Sequence, residues 1–172
     1  MNIDLLYKQY ADKVFNLCLH YLQVRGDAED ATQEIFIKVF RKSDTFRGAS
    51  NPKTWIYRIA INHCLDQLKS NKRKYRLAYV RSLLGLKPSV QASLASKDHP
   101  GVLLEQKEAT MALLDRIDQL PEQQKTALIL SKIEGLPYKE VAQIMHKSAK
   151  SIESLVQRAK KNLKKSLYSE GF

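Results

Sequence analysis

Two amphipathic helical patterns joined by a polar loop, between residues 27 and 69, constrain the fold more than any other part of the sequence. The first pattern has one apolar side, formed by Ala28, Ala31, Ile35 and Val39. Asp27 stands at its start and is a residue type that caps helices. The second pattern begins near Thr54, and its apolar side consists of Ile56, Ala60, Ile61, Cys64, Leu65 and Leu68. Each helix needs a packing partner for its apolar side.

A third helical pattern, at residues 3–22, supplies that partner. Its apolar residues repeat at spacings of three and four: Leu6, Tyr10, Val14, Leu17 and Tyr21. Gly26 ends this segment, and Asp27 starts the next one. We therefore expect this helix to pack across the other two as a compact three-helix unit.

The outer side of the first pattern differs from a plain solvated surface. It contains Asp30, Gln33, Glu34, Ile37 and Arg41, so one apolar residue lies among polar and charged ones. Scattered exposed apolar residues are normal on proteins. Two interpretations stay open: a surface helix with one exposed isoleucine, or a docking face for a protein partner.

The outer side of the second pattern combines an aromatic ring with hydrogen-bonding groups. At helical spacing it presents Trp55, Arg58, Asn62, Asp66 and Lys69. A tryptophan beside arginine and asparagine can stack on bases and bind their edges. The alternative is that the single tryptophan belongs to the core, as large apolar rings more often do. The polar, basic loop at residues 46–53 favours the nucleic-acid interpretation.

The chain then becomes basic, with no acidic residue among Lys69, Lys72, Arg73, Lys74, Arg76 and Arg81. Such side chains can simply complement a helix dipole, but their position beyond the base-binding side favours phosphate contact. The net charge of +11 favours a polyanionic partner, nucleic acid before an anionic membrane. No apolar run could span a bilayer and the N-terminus lacks signal-peptide features, so we expect a cytoplasmic protein.

Neither a metal site nor a catalytic site is predicted. Cys18 and Cys64 each fall on an apolar helical side, so both are expected to be reduced core thiols. Zinc bound by these cysteines with His20 and His63 is an alternative, but their spacing matches no zinc site pattern. The chain has no glycine-rich phosphate loop, and its four histidines lack a companion nucleophile or carboxylate cluster. An enzyme with a cofactor or small-molecule substrate is therefore the weakest functional class.

Residues 82–104 differ in composition from the helical patterns on both sides. Serine, proline and glycine are interspersed there, and only a short helix is predicted, near Val80 to Leu86. A linker of this length inside one compact domain would be unusual, so it indicates two domains. We expect a first domain at residues 1–80, a linker at 81–104 and a second domain at 105–172.

The second domain begins with two predicted helices. One runs from Leu104 to about Leu120, and the next starts at Pro121, because proline suits the first turn of a helix. The expected packing residues are Met111, Leu114, Ile117, Ala127, Leu128, Leu130 and Ile133. Residues 134–137 then break the helix.

Residues 137–167 have the outline of a helix-turn-helix motif. His146 stands where glycine usually starts the turn, and histidine tolerates a left-handed backbone better than most residues. The first helix would pack through Tyr138, Val141, Ala142, Ile144 and Met145, and the second through Ile152, Leu155, Ala159 and Leu163. The candidate DNA contacts are Lys147, Ser148, Lys150, Ser151, Ser154, Gln157, Arg158 and Lys161. The alternative is a solvated amphipathic helix.

Both ends of the chain resemble one known family, the extracytoplasmic-function (ECF) group of bacterial sigma factors in the sigma-70 family. The segments similar to its region 2 are DAED at 27–30, Gln33-Glu34 with Phe36, and TWIYRIA at 54–60 with Asn62 and Asp66. The helix-turn-helix and the preceding LPEQQ resemble its region 4. Glu153 and Leu155 stand where many members have basic residues, so promoter specificity cannot be carried over from better-known members.

The resemblance implies an all-α protein of two small helical domains that binds core RNA polymerase, through its β and β′ subunits, and promoter DNA. It implies that polymerase docks on Asp30, Gln33, Glu34, Ile37 and Arg41. It implies that the melted −10 element binds Arg47, Asn51, Lys53, Trp55, Arg58, Asn62, Asp66, Lys69, Lys72 and Arg73. The helix-turn-helix would read the −35 element. Family members are commonly held by an anti-sigma factor, which can keep them at the membrane.

Two other binding functions stay open on the residues alone. A free-standing helix-turn-helix regulator would bind duplex operator DNA, usually at two symmetric half-sites, with its N-terminal helices used for dimerisation or signal binding. Such a dimerisation domain has no need of the Trp55 side or its basic loop. A basic RNA-binding protein would fit the net charge.

Overall fold

The computed structural model describes residues 2–46, 48, 51–83 and 113–168, with side chains assigned except at 45, 74–83, 167 and 168. Among these residues there are α-helices and no strand, so the predicted all-α fold is confirmed. The helices are α1 (Ile3–Leu22), α2 (Arg25–Arg41), α3 (Pro52–Leu83), α4 (Glu122–Leu128), α5 (Tyr138–Met145) and α6 (Ala149–Tyr168). Residues 113–118 are also helical. A 3₁₀ turn (Ser43–Thr45) follows α2, and a π-helical turn (Ile129–Ile133) extends α4.

Helices α1, α2 and α3 pack against one another as the N-terminal bundle, which comprises the described residues from 2 to 83. The apolar side predicted for α1 is buried along its whole length, as are the predicted residues of α2. In α3, Ile56, Ala60 and Cys64 are buried, whereas Leu65 and Leu68 are half-buried. The predicted three-helix unit is therefore confirmed.

The start of α2 differs from the prediction that Asp27 caps it. Gln23 adopts a left-handed conformation with φ 61° and ends α1 by donating its backbone N–H to the Leu19 carbonyl. This sharp reversal lets α2 begin at Arg25, with Val24 at the cap position and no side-chain cap. Asp27 lies instead in the first turn, where its carboxylate still interacts favourably with the positive end of the helix.

Helix α3 starts earlier and runs further than predicted. It begins at Pro52, where the missing N–H costs nothing, and the Asn51 side chain accepts from the Lys53 N–H at 2.9 Å. The helix continues to Leu83, so the basic residues after Lys69 lie on α3 itself. A separate short helix was predicted near Val80 to Leu86. Its described residues, up to Leu83, belong to α3. Residues 84–112, which include most of the predicted linker and Met111, lie outside the described residues.

The π-helical turn after α4 corrects one predicted core residue. The Glu134 N–H bonds to the Ile129 carbonyl at 2.9 Å, which adds one residue to the turn. That extra residue rotates Ile129 into the core and leaves Ile133 exposed, although Ile133 was predicted to pack. Pro121 is also displaced from its predicted first-turn position, since it stands at the cap position before α4. Gly135, with φ +66°, ends the segment before α5.

The helix-turn-helix is formed as predicted, with α5 and α6 in contact. His146 adopts the left-handed conformation, with φ 53° and ψ 48°, in the place where glycine is usual. The Ser148 hydroxyl accepts from the Ser151 N–H at 3.1 Å and so caps α6. Ile152, Leu155 and Ala159 are buried as expected, and Val156 joins them.

The C-terminal unit, which comprises the described residues from 113 to 168, packs against the N-terminal bundle. Helix α5 lies against α3, and one continuous apolar core includes residues of both units. A buried hydrogen bond of 2.8 Å joins the Tyr21 hydroxyl on α1 to Thr126 on α4. Two further polar contacts meet at Asp118, which accepts from Gln23 and pairs with Lys125. The two units are thus joined by apolar and by polar interactions.

The left-handed turn residue gives a test of this fold. We expect His146→Val to destabilise the protein by about 1–2 kcal/mol, because a branched Cβ crowds the neighbouring carbonyl at positive φ. The free energy of unfolding would be measured by urea denaturation. His146→Asn is the matched control and should stay near the wild-type value, since asparagine tolerates this conformation. Equal losses in both variants would contradict the strain argument.

Candidate nucleic-acid interface

The outer side of α2 is exposed where the sequence predicts a docking face. Asp30, Gln33, Glu34, Ile37 and Arg41 all lie on that side and are exposed, and Ile37 has 49% of its surface accessible. Sequence reasoning missed an adjoining apolar group. Phe40, three residues after Ile37, is 65% exposed, and Tyr7 of α1 packs edge-on against Phe36 at 4.8 Å. The spacing of Phe40 from Ile37 was a signal that could have identified it.

Glu34, one of these docking candidates, lies close to His63 of α3. The Lys38 ammonium donates to Nδ1 of His63 at 2.6 Å, and Nε2 of the same ring lies 3.7 Å from the Glu34 carboxylate. Burial and the nearby Lys38 lower the pKa of His63, while Glu34 and Asp66 raise it in part. The lowered pKa favours a neutral ring that accepts from Lys38. His63 thereby links α3 to the outer side of α2.

Trp55 combines features of the two predicted alternatives, a core residue and a base-stacking surface. Its ring is half-buried, packs against the core, and lies 4.9 Å from the Phe46 ring. It is therefore supported from below by apolar contacts while part of its surface stays accessible. Arg47, predicted to contact DNA beside it, is outside the described residues.

Three predicted DNA-binding residues of α3 contact the C-terminal unit. The Lys53 ammonium pairs with the Glu140 carboxylate at 2.9 Å, and Lys69 pairs with Glu122 at 3.3 Å. The Arg58 guanidinium donates through two nitrogens to the Gln143 carbonyl. Sequence reasoning missed these contacts, because each joins residues that are far apart along the chain.

The remaining residues of this side are distributed along α3. Asn51, Asn62, Asp66, Lys72 and Arg73 are exposed. Next to Arg58 and Asn62, a cleft of about 240 Å³ opens between α3 and the C-terminal unit, and Glu122, His146 and Lys147 also line it. Lys147, predicted for the −35 contact, therefore lies at the junction of the two units.

The Tyr57–Glu134 contact lies beneath these ion pairs. The Tyr57 hydroxyl donates to the Glu134 carboxylate at 3.1 Å. Burial raises the pKa of Glu134 above its ordinary value, and the hydrogen bond from Tyr57 with the charges of Lys13 and Lys53 offsets part of that rise. Burial and the Glu134 carboxylate also raise the pKa of Tyr57, which therefore stays protonated.

The outer side of α6 is open. Lys150, Ser154, Gln157, Arg158 and Lys161 are exposed, and Ser151 is half-buried. The Ser154 hydroxyl donates to the Lys150 carbonyl at 3.1 Å, and its oxygen can still accept a hydrogen bond. Gln157 is the longest neutral polar side chain on this side, so it reaches furthest towards a base edge. The arrangement fits a helix that presents polar and basic groups to a DNA groove.

The two cysteines are buried in the N-terminal bundle. Their sulfur atoms are 3.7 Å apart, and both thiols are free. The described side chains contain no group of three or more His, Cys, Asp or Glu that could hold a metal ion. Within the described ranges, no helix combines the length and the apolar character needed to span a membrane.

Two family descriptions match the chain in separate segments. "Sigma-70 region 2" matches residues 6–74, and "Sigma-70, region 4" matches residues 110–163. The ECF RNA polymerase sigma-E factor of Haemophilus influenzae is 34% identical over 157 residues, which cover 91% of this chain and 82% of that protein. The RNA polymerase sigma-H factor of Pseudomonas aeruginosa is 32% identical over 164 residues, covering 95% and 85%.

Solved structures show the same fold. The sigma factor RpoE of Bartonella quintana, crystallised with the anti-sigma factor NepR, aligns with a TM-score of 0.66 and 24% identity, covering 95% of each chain. CnrH, solved with the cytosolic domain of CnrY, also gives a TM-score of 0.66, at 16% identity and with 98% of this chain and 89% of that one covered.

Glu134 gives the contact between the units a pH dependence. Because its pKa is raised in the folded chain, its carboxyl takes up a proton more readily there than after unfolding. The stability it contributes is therefore present at low pH and is lost as pH rises through the raised pKa. Glu134→Gln keeps an acceptor for Tyr57 but cannot titrate. As pH rises above the ordinary glutamate pKa of about 4.3, we expect wild type to lose stability relative to this variant in urea denaturation. A difference that stays constant with pH would contradict the assignment.

Proposed function

Because the chain belongs to the ECF sigma factors of the sigma-70 family, we propose that it binds core RNA polymerase through α2 and promoter DNA through α3 and α6. Sigma factors of this family direct promoter-specific transcription initiation, and this chain does so as a member. The observation that carries the surface assignment is the open outer side of α6, whose polar and basic residues follow a formed helix-turn-helix. A free-standing operator-binding regulator is not favoured, since the chain matches region 2 as well as region 4.

The proposed polymerase interface is the exposed outer side of α2. Its charged and polar residues surround Ile37, which gives an apolar anchor within a polar rim, as protein interfaces commonly have. The residues proposed to contact the β and β′ subunits are Asp30, Gln33, Glu34, Ile37 and Arg41. Family resemblance supports the same positions.

The proposed −10 surface is the outer side of α3 with the loop before it. Trp55, supported by Phe46, would stack on an unpaired base of the melted strand, and such stacking contributes roughly 1–3 kcal/mol per base. Arg58 and Asn62 would bind base edges or the backbone. The other proposed contacts are Arg47, Asn51, Lys53, Asp66, Lys69, Lys72 and Arg73.

The proposed −35 surface divides into two kinds of contact. Ser151, Ser154 and Gln157 would bind base edges, and glutamine can bond an adenine edge at two points. Lys147, Ser148, Lys150, Arg158 and Lys161 would bind phosphates, which position the helix without reading sequence.

We infer further that the chain acts by binding alone, with no catalytic residue, cofactor or metal of its own. The same proposal places it in the cytoplasm, under the control of an anti-sigma factor that can hold it at the membrane. The proposed domains are residues 1–80 and 105–172, with a linker at 81–104. The continuation of α3 to Leu83 would extend the first domain by three residues.

The polymerase interface is tested with Gln33→Ala combined with Ile37→Ala. Truncating a buried interface anchor commonly costs about 2 kcal/mol or more, so this variant should bind core polymerase at least about thirtyfold more weakly. Affinity would be measured by titration with core polymerase, and function by run-off transcription. The matched control is Gln119→Ala with Ile133→Ala, which changes an exposed glutamine and isoleucine in the C-terminal unit. Unchanged affinity in the test variant would contradict the interface.

The −35 surface is tested by separating base reading from phosphate binding. Gln157→Ala should cost roughly 1–3 kcal/mol at one base position and relax the preference there. Lys161→Ala should weaken all promoters about equally and reduce the salt slope by about one unit. Holoenzyme binding to −35 variants would be measured at two salt concentrations, with Lys160→Ala as the control on another side of α6. If the effects of Gln157→Ala and Lys161→Ala were exchanged, α6 would be rotated on the DNA relative to this proposal.

A further inference from the structure

We propose that Cys18 and Cys64 form a modification site, at which hydrogen peroxide converts the two thiols into a disulfide that joins α1 to α3. A dithiol reductant returns the pair to the free thiols of the structure. The inference concerns the N-terminal bundle alone. It does not depend on the proposed contacts with polymerase or DNA, so it can be tested without either of them.

The two thiols lie next to each other in the folded chain, although they are 46 positions apart in the sequence. Cys18 lies on α1 and Cys64 on α3, and these helices pack directly against each other. The two sulfur atoms are 3.7 Å apart. A disulfide needs sulfur atoms about 2.05 Å apart, so they must approach by roughly 1.7 Å. Because the sulfur atoms face each other across the helix contact, rotation of the two side chains can bring them together.

The contact between the two sulfurs is more than ordinary core packing. A buried cysteine usually serves as a small apolar residue, and alanine or valine could fill either position. Here both cysteines of the chain occupy facing positions on different helices, and the Cys64 thiol donates to the Cys18 sulfur. The pair has a chemistry that one buried cysteine lacks. The first oxidation product of a thiol, a sulfenic acid, condenses with a second thiol to a disulfide.

The shared hydrogen bond makes the two thiols unequal. The bond from Cys64 lowers the pKa of Cys18, although burial acts in the opposite direction. The same bond and burial raise the pKa of Cys64. The thiolate, and not the thiol, is the nucleophile. Cys18 is therefore the residue that attacks the oxidant, and Cys64 is the residue that completes the disulfide.

The reaction takes place in two steps. The Cys18 thiolate attacks one peroxide oxygen and breaks the O–O bond, which gives a sulfenic acid on Cys18 and a hydroxide that takes up the proton lost by Cys18. The Cys64 sulfur then attacks the Cys18 sulfur, forms the S–S bond and expels a second hydroxide, which takes up the Cys64 proton. In total, the two sulfurs lose two electrons and one hydrogen peroxide is reduced to two waters.

Burial determines how fast the pair reacts and with which oxidants. Neither cysteine has accessible surface, so the oxidant enters only when the bundle opens locally. Hydrogen peroxide is small enough for a brief opening, whereas oxidised glutathione needs a much wider one. The disulfide, once formed, is shielded from thiol reductants in the same way. We therefore expect slow oxidation by peroxide and a product that persists until the bundle opens again.

The disulfide closes a loop that contains all of α2 and the first turns of α3. A cross-link across a long loop stabilises the folded state mainly by restricting the unfolded chain. The oxidised chain should consequently unfold at a higher urea concentration than the reduced chain.

The test is peroxide treatment of the reduced full chain, followed by alkylation of the remaining thiols in urea and by mass spectrometry. We expect wild type to lose two hydrogen atoms, to take up no alkylating agent, and to give one cross-linked peptide pair containing Cys18 and Cys64. The urea midpoint should rise on oxidation, and dithiothreitol should restore both thiols and the original midpoint. Two alkylated cysteines, oxidation without this cross-link, a disulfide between two chains, or a midpoint that does not rise would each overturn the proposal.

Single substitutions test the roles of the two thiols. Cys64→Ser keeps a hydrogen-bond donor beside Cys18, so dimedone should trap a sulfenic acid on Cys18 and no cross-link should form. Cys18→Ser leaves only the thiol with the raised pKa, which should react at least about tenfold more slowly. Equal rates would contradict these roles.

The matched control for the urea midpoint is the double variant Cys18→Ser, Cys64→Ser, treated with peroxide in the same way. It reports any change that methionine oxidation causes, and its midpoint should stay constant. An equal rise in the double variant and in wild type would overturn the stabilising role of the disulfide. If a serine variant does not fold, peptide mapping of wild type still decides whether Cys18 and Cys64 become joined.

Discussion

The contact between the two units depends on one buried cation, the ammonium of Lys125. Lys125 is only 5% exposed, pairs with Asp118, and lies 5.1 Å from the centre of the Tyr21 ring. A buried ammonium without a partner is strongly unfavourable, so Asp118 must stay in place once Lys125 is buried. Asp118 also accepts from Gln23, whose left-handed backbone ends α1. The end of α1 and the start of α4 are thereby held together.

This anchor determines which side of α3 faces the C-terminal unit. With α4 fixed against the end of α1, the short helix α5 lies along α3, and Glu140 and Gln143 reach Lys53 and Arg58. Two kinds of contact therefore coexist between the units. The one at Lys125 is buried and sensitive to the loss of either partner, whereas the one along the α3 outer side is accessible to water and salt.

The sequence predicted those parts of the fold that depend on neighbours within one helix. The apolar sides of α1, α2 and α6, and the left-handed turn at His146, follow from spacing and residue type alone. The predictions that were wrong also have local physical causes. The reversal at Gln23 replaced the expected Asp27 cap, and the π-helical turn moved Ile133 out of the core. The candidate DNA residues were predictable as exposed helix sides, but their acidic partners were not, because Lys53 and Glu140 are distant in sequence.

The difference between the two contacts determines how easily the outer side of α3 can be exposed. A side of α3 covered by apolar packing would need a large free-energy input to be exposed, since every buried apolar group would have to be hydrated. Ion pairs and one carbonyl on this side of α3 make that free energy smaller, because water, salt or phosphate can replace each acceptor in turn. Glu140 and Glu122 thus pair with Lys53 and Lys69 of α3 in contacts that stay exchangeable. A strongly basic chain with net charge +11 gains from this arrangement, since unpaired cations on α3 would bind any nucleic acid without regard to sequence.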